Sequence, residues 1–151
     1  MSDLFFEDFE VDARYPTYGR TITESDITTF CCFAGYHTPI FIDEEFAKQS
    51  VHKGRIAPSS LTMTISTAMT ESLFRTTVIA LKGVTDGQFL QVVRPGDTIR
   101  TETQVISKRE TSKPDRGLIV LRDRVFNQRQ ELVFQIDKTV LIQRRPPPSQ
   151  P

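Results

Sequence analysis

The strongest constraint on the fold is a central segment that carries no charged residue. Residues 59–70, SSLTMTISTAMT, hold only apolar side chains and the small hydroxyls of Ser and Thr, and Glu71 is the first charge after them. A helix that is uncharged around its whole circumference is buried and does not lie on a surface. We therefore predict a buried helix over residues 59–74. One such helix in a chain of 151 residues predicts a sheet wrapped around it.

The second half of the chain supplies that sheet. Its segments alternate apolar and polar residues, the pattern of half-exposed antiparallel strands. The predicted strands span residues 77–82, 89–93, 98–107, 117–125 and 131–143. The fold class predicted from these elements is α+β, with an antiparallel sheet curled around one long central helix.

Short helices precede the uncharged segment. Thr23 and Asp26 predict the cap of a first helix, and Gly35 ends it. Asp43 predicts the cap of a short second helix, EEFAKQS. The intervening YHTPIFI is predicted to be a stiff loop, because a residue that precedes proline is pushed toward extended geometry.

Composition and termini restrict the class of protein. Nineteen basic residues balance nineteen acidic ones, so we expect neither nucleic acid nor an anionic membrane as a partner. The start lacks the basic region of a signal peptide. The only cysteines, Cys31 and Cys32, are adjacent and would form a disulfide only with strain, which predicts reduced thiols in a cytoplasmic protein. Two histidines and two adjacent cysteines offer no metal-ligand spacing. We predict one domain over residues 1–145 and a disordered proline-rich tail over residues 146–151.

Three stretches in a fixed order carry a resemblance. They are LFFEDFEVDARYPTYGRTITESDITTFCCFAG, then FIDEEFAKQS followed by GRIAPSSLTMTIS, and then FLQVVRPGDTIRTETQVISKRE with the strands after it. Together they resemble the MaoC-like acyl dehydratases, also called R-specific enoyl-CoA hydratases, of the hotdog fold. The resemblance implies a lyase that adds water to a 2-enoyl thioester or removes it. It implies a coenzyme A thioester as substrate or ligand, no other cofactor, and a dimer or larger oligomer whose sheets join edge to edge.

The resemblance also locates a site, and this chain departs from the family there. The family pattern G-D-x-N-P-x-H supplies an acid and a base, and its carboxylate falls on Tyr36 and its histidine on Phe41. In a second pattern, I-A-H-G, the histidine becomes Pro58 and the glycine becomes Ser59. A serine that lines the pocket in some members falls on Thr64. The resemblance therefore implies that the usual acid–base mechanism cannot operate in this chain.

The residues that remain have alternative roles. Tyr36 is either a hydrogen-bond donor to an oxyanion or part of the pocket wall, and Phe41 fills the vacated pocket. His37 is either a substitute acid and base or faces away, since adjacent residues of an extended loop point opposite ways. Ser59 and Ser60 are predicted caps of a helix end whose free N–H groups bind the thioester oxygen.

Three functional hypotheses follow. The first is a lyase with a rearranged site that uses Tyr36 and His37. The second is a catalytically inactive, thioester-binding subunit of a mixed assembly with an active relative. The third is a hotdog thioesterase, for which Asp26 and Asp43 are the nearest carboxylates. His52, in a basic stretch, is predicted to be a solvated surface residue or a contact to a phosphate of coenzyme A.

Overall fold

The computed structural model describes residues 3–147 of the chain. In chain order its helices and strands are β1 (Arg14–Pro16), β2 (Arg20–Thr21), α1 (Glu24–Ala34), α2 (Pro39–Ile42), α3 (Glu44–Gln49), α4 (Ser59–Thr70), β3 (Val78–Phe89), β4 (Thr98–Glu110), β5 (Arg116–Phe126) and β6 (Leu132–Gln143). The sheet has the order β1-β4-β5-β6-β3, with β2 added beside β4, and every pairing is antiparallel. The predicted α+β class is confirmed.

Helix α4 packs against one face of this sheet and contacts β4. It ends at Thr70 and continues into a single 3-10 turn, Glu71–Leu73, close to the predicted end. Its buried residues are Leu61, Thr62, Ser66, Met69 and Thr70. Thr64 and Ala68 are exposed. The helix of a single chain is thus buried on one face and not all the way round, because the sheet covers only one side of it.

The helices before α4 form for the predicted local reasons, with one correction. The Thr23 side chain accepts a hydrogen bond from the backbone N–H of Asp26, whose carboxylate accepts from the Thr23 N–H in return. Gly35 ends α1 with a φ of 72°, a left-handed conformation that favours glycine. Asp43 caps α3. The segment predicted as a loop contains the short helix α2, which proline at its first position favours.

The third strand differs from the prediction. Residues 77–82 and 89–93 were expected to be two strands, yet Val78–Phe89 is one continuous strand and residues 90–93 are irregular. The turn-forming residues at its centre are accommodated by irregular pairing with β6, and Asp86 there has a φ of 52°. Bulges of this kind absorb an extra residue without ending a strand. The strand lies at the edge of the sheet.

The interior contains two apolar clusters with a polar layer between them. One cluster lies at the end of the sheet near the start of α4 and includes Leu61 and Phe134. The other lies at the opposite end and includes Phe9 and Ile119. The polar layer between them is buried and consists of Ser66, Thr70, Thr101, Thr103, Asp123 and Lys138.

The polar layer is held by its own hydrogen bonds and one ion pair. Lys138 Nζ lies 2.5 Å from Asp123 Oδ2 and donates to Thr70 Oγ1 at 2.8 Å. Thr103 Oγ1 donates to Asp123 Oδ1 at 2.7 Å. Burial raises the pKa of the Asp123 carboxyl, and the neighbouring Lys138 opposes that rise. The layer therefore connects the C-terminal half of α4 to three adjacent strands.

The two ends of the described chain lie side by side. Arg144 contacts Glu7, and Arg145 contacts Asp8, so the segment after β6 is fastened to the segment before β1. Of the predicted tail, residues 148–151 lie outside the described residues, and residues 146–147 have no regular secondary structure. None of the helices within residues 3–147 is long and apolar enough to cross a membrane.

Candidate functional site

The first turn of α4 is the centre of the candidate site. Pro58 precedes the helix, and within residues 3–147 no side chain caps it. The prediction that Ser59 and Ser60 are caps is therefore wrong, because they are the first two helical residues. A proline at the cap position has no hydroxyl or carboxylate to accept from the first turn. The N–H groups at this helix end are consequently left without a side-chain acceptor.

An aromatic cluster of Phe30, Tyr36 and Phe41 covers one face of that turn. The Tyr36 ring stacks on Phe30, with ring centroids 5.9 Å apart, and meets the edge of Phe41 at 5.7 Å. Its hydroxyl lies 2.8 Å from Ser60 Oγ, within hydrogen-bond distance. Such stacked and edge-on pairs are favourable beyond the area they bury. The aromatic cluster thus fixes the Tyr36 hydroxyl at the N-terminal end of α4.

Thr64 lies one turn further along the same face of α4. Its hydroxyl donates to the backbone carbonyl of Ser60 at 2.8 Å, and the residue is exposed. The structure therefore brings together four of the predicted site residues, namely Tyr36, Phe41, Ser60 and Thr64. Ser59 lies on the other side of the turn, where it lines a separate cavity.

His37 is exposed and lies outside the aromatic cluster. It lines a cavity of about 280 Å³ together with Tyr36, Cys31, Cys32 and Arg55. Burial, and then the adjacent Cys32, raise the pKa of the Cys31 thiol, which therefore stays protonated near neutral pH. The Arg55 guanidinium is already bound by two glutamates of α1 and α3. His37 thus contributes the imidazole of this cavity.

The carboxylates considered for a thioesterase have other partners. Asp26 binds Arg20 and the start of α1, and although burial raises its pKa, these hydrogen bonds lower it overall. Asp43 accepts from the backbone of Phe46. Both carboxylates therefore cap the starts of helices α1 and α3.

The sequence did not reveal a second cavity beside α4. It has a volume of about 290 Å³ and is lined by His52, Ser59, Thr62 and Gln91, with apolar walls from residues 56–57, 89–90 and 92–93. His52 is half-buried and lines this cavity. No local signal indicates this cavity, because its walls come from two segments that are distant along the chain, residues 52–62 and 89–93.

Comparison with known proteins identifies the family. The model of the MaoC like domain matches residues 8–120. The chain belongs to the MaoC-like domain family.

Among the residues that the structure describes, no group of three or more histidine, cysteine, aspartate or glutamate side chains could hold a metal ion.

Relatives of this MaoC-like chain agree in fold. β-Methylmalyl-CoA dehydratase of Chloroflexus aurantiacus is 28% identical over 144 residues, which are 95% of this chain and 41% of that protein. The solved structure of a monoamine oxidase regulatory protein from Archaeoglobus is 31% identical, with a TM-score of 0.88 over 95% of this chain and 97% of that one. A Mycobacterium tuberculosis protein with a double hotdog fold gives a TM-score of 0.89 at 20% identity, over 99% of this chain and 46% of that one. The fold of the MaoC-like chain is therefore the hotdog fold.

The lengths of some relatives differ from that of this chain. The MaoC-like chain spans 20% to 41% of the length of three curated relatives that it matches.

Proposed function

We propose that this chain binds acyl thioesters of the coenzyme A type at the N-terminal end of α4 and does not hydrate them. The observation that carries the proposal is the hydrogen bond between Tyr36 and Ser60 inside the aromatic cluster. The positions that the family resemblance assigns to an acid and a base hold a phenol and a phenyl ring. A phenyl ring neither gives nor takes a proton, so it contributes nothing to general acid–base catalysis, which is worth ~10²–10⁴-fold.

The groups at the start of α4 that can bind a thioester are present, although the family's acid and base are replaced. Free N–H groups and the positive end of a helix dipole attract a carbonyl oxygen whichever side chains surround them. The Tyr36 hydroxyl, next to Ser60, adds a donor at the same helix end. The names of the relatives support the ligand class, since β-methylmalyl-CoA dehydratase and mesaconyl-CoA hydratase are both named for coenzyme A thioesters.

We also propose that the functional form contains at least two hotdog units, either two copies of this chain or this chain with an active relative. Strand β3 is an unpaired edge of the sheet and exposes Val78, Leu81, Val84 and Phe89. An exposed apolar edge strand is a ready template for another strand. Helix α4 also leaves Thr64 and Ala68 uncovered.

The free thiols at Cys31 and Cys32 fit a cytoplasmic location, which we propose as well.

The proposal is tested by measuring binding and turnover together. We expect butyryl-CoA to bind in a titration, while crotonyl-CoA keeps its enoyl absorbance. Installing the family pair in the double variant Tyr36→Asp/Phe41→His should produce measurable hydration, because it supplies the missing acid and base. Turnover by the parent in the ordinary range of ~1–10³ per second would refute the non-hydrating function, and failure to bind any acyl-CoA would refute the thioester site.

One observation favours a lyase as the second candidate. His37 and Tyr36 line the same cavity, so a proton could pass between a ligand there and the imidazole. If any enoyl- or hydroxyacyl-CoA turns over, His37→Gln should abolish the activity, whereas Tyr36→Phe should lower it on the order of 10²-fold if the phenol is an oxyanion donor. Product analysis by mass spectrometry distinguishes the two candidates, because a binding subunit yields no product from the parent or from either variant.

A further inference from the structure

The buried polar layer contains one acceptor that its neighbours leave unused. Of the buried side-chain nitrogen and oxygen atoms within residues 3–147, Asp123 Oδ2 is the one that has no hydrogen-bond partner. It lies 2.5 Å from Lys138 Nζ, so the two groups form an ion pair whose geometry does not make a hydrogen bond. Buried polar groups in proteins nearly always have a partner. The structure therefore leaves a place for a donor beside Asp123.

Lys138 has unused hydrogen-bonding capacity as well. A lysine ammonium carries three protons that it can donate. Within the described part of the chain, Lys138 donates one hydrogen bond, to Thr70 Oγ1 at 2.8 Å. Its side chain is only 3% exposed, so bulk water does not surround the ammonium. The ion pair thus offers a free donor and a free acceptor side by side.

A cavity leads to this ion pair from the uncovered side of the molecule. It has a volume of about 100 Å³ and lies between the end of α4 and strands β3 and β6. Lys138 lines it, and its walls are otherwise mainly apolar, from Phe74, Val78, Leu81 and Val140. Val78 and Leu81 are exposed on the edge strand, so a ligand can enter from that edge.

The charges around the cavity argue against an anion. Asp123 and Lys138 already neutralise each other, and the exposed Glu71 is part of the lining. A carboxylate in the cavity would therefore be a buried charge without its own counter-ion, which is costly.

The hydrogen-bonding groups select among uncharged ligands. An ether or carbonyl oxygen accepts from the Lys138 ammonium but gives nothing to Asp123 Oδ2, whereas a hydroxyl group accepts and donates. The apolar walls favour an alkyl group beside that hydroxyl. An aliphatic alcohol matches both parts of the cavity.

We propose that this cavity binds the hydroxyl group of an aliphatic alcohol, with its oxygen on the Asp123–Lys138 pair and its alkyl part against Phe74 and Val140. A single water molecule needs only about 10–15 Å³ of such a volume, and the cavity has about 100 Å³. It therefore has room for a hydroxyl and a short alkyl chain.

The hydroxyl belongs either to a free alcohol or to the far end of an acyl chain. Ser60, Thr64 and Thr67 follow one another at intervals of four and three residues, which places them on one face of α4. Thr67 lines the cavity, and it lies about 10 Å along the helix from Ser60. The acyl-chain case rests on the thioester function proposed above, and the free-alcohol case does not.

The test is a titration of the chain with 1-butanol, followed by NMR of its ¹³C-labelled methyl groups. Methyl propyl ether, an isomer that accepts but cannot donate, and butyrate, which is charged, are the matched probes. We expect saturable shifts at Val140 and Leu81 with butanol. The dissociation constants for the ether and for butyrate should be higher on the order of tenfold, the effect of one hydrogen bond to a charged group.

The double variant Asp123→Leu/Lys138→Met removes both hydrogen-bonding groups, and it should bind butanol and the ether equally. Ser72→Ala removes a hydroxyl just beyond the same helix and outside the cavity lining, so the preference for butanol should remain. If the double variant does not fold, Thr67→Phe at the half-buried wall replaces it. Its ring should fill the cavity and abolish the butanol shifts.

The proposal is overturned if the parent binds butanol and the ether equally, or if the preference for butanol persists in the folded double variant. Butanol shifts that survive in Thr67→Phe would overturn it too. The absence of any butanol shift would assign the place to water and also overturn it.

Two thioesters then distinguish the sources of the hydroxyl. Tighter binding of ω-hydroxyoctanoyl-CoA than of octanoyl-CoA, lost in the double variant, assigns the hydroxyl to an acyl chain. Equal binding of the two assigns the cavity to a free alcohol. Failure of both thioesters with butanol still bound would refute only the thioester function.

Discussion

The buried ion pair of the polar layer gives the most quantitative prediction. Asp123 and Lys138 have side chains only 0% and 3% exposed, and they lie 2.5 Å apart. Apart from each other, Asp123 has the hydroxyl of Thr103 and Lys138 has that of Thr70 as partners. Neither hydroxyl can neutralise a charge. Removing one member of the pair therefore leaves the other charged and buried.

The expected magnitudes follow from that burial. We expect Lys138→Met to lower the free energy of unfolding by about 3–5 kcal/mol, and Asp123→Leu to do the same. This is a large part of the ~5–15 kcal/mol typical of a domain. The double variant removes both charges, so its stability should lie within about 1 kcal/mol of the parent or exceed it. The two substitutions should consequently be strongly non-additive.

The pH dependence of the Lys138→Met variant has a defined sign. Burial raises the pKa of Asp123, and the variant loses the cation that opposes this rise. A carboxyl whose pKa is higher in the folded than in the unfolded chain takes up its proton more readily when folded. The stability of Lys138→Met should therefore increase relative to the parent as pH falls toward the raised pKa.

The assay is urea unfolding of the parent, both single variants and the double variant at neutral and acidic pH. The control is Arg14→Met, because Arg14 pairs with Glu102 across two strands of the same sheet and both side chains are at the surface, 52% and 32% exposed. We expect that control to cost no more than about 1 kcal/mol. Single variants that lose less than the control, or a double variant whose loss equals the sum of the two, would refute the reasoning.

Three further predictions concern packing, acid stability and assembly. A Cβ at Gly117 would overlap the Phe6 ring, so Gly117→Ala should lower the free energy of unfolding by about 1–3 kcal/mol. Thermal melts should show that Gly117→Ala lowers the melting temperature less in a Phe6→Ala background than in the parent. Although burial raises the pKa of Asp26, its hydrogen bonds lower it overall, below 3.8. Its contribution to the free energy of unfolding is therefore present above that pH and is lost as pH falls through the lowered pKa. Asp26→Asn should reduce the fall of the free energy of unfolding at acidic pH, and an unchanged fall would contradict this. Val84 is 50% exposed on the edge strand, so Val84→Glu should shift the sedimenting mass toward 17.2 kDa, the mass of one chain; an unchanged sedimentation profile would place the interface elsewhere.

Local signals in the sequence predicted the helices better than the edge strand. The caps at Thr23 and Asp43 depend on neighbours within three residues, so sequence suffices for them. The centre of β3 carries turn-forming residues such as Asp86, and only pairing with β6 keeps it extended. Long-range pairing of that kind is not visible in a local pattern.

The polar layer has a signature in the sequence of the two strands that carry its charges. Along β5 the buried residues alternate, and Asp123 falls in step with Leu121 and Val125. A charged residue at an inward position of a strand indicates a buried charge that needs a partner. Lys138 falls in step with Val140 on β6 in the same way. The partnership itself could not be predicted, because it depends on the register between two strands.

For the candidate site, the resemblance predicted Ser59, Ser60 and Thr64; in the structure Ser60 and Thr64 lie on one face of α4, and Ser59 lines the cavity on the other side. The resemblance placed Tyr36 and Phe41 near the start of α4, where both pack in the aromatic cluster. The cavity around Thr62 needed the structure, because residues 89–93 close it from a distant part of the chain.

The polar layer has a consequence for how this protein can change over evolutionary time. It separates the apolar cluster behind the candidate site from the cluster at the other end, so new side chains on one side need not be matched by new ones on the other. Substitutions far apart with no shared partners act independently. Side chains at the start of α4, such as Tyr36 and Phe41, can therefore change while the far half of the molecule keeps its packing. A fold partitioned in this way can lose one chemistry and acquire another without losing the ability to fold.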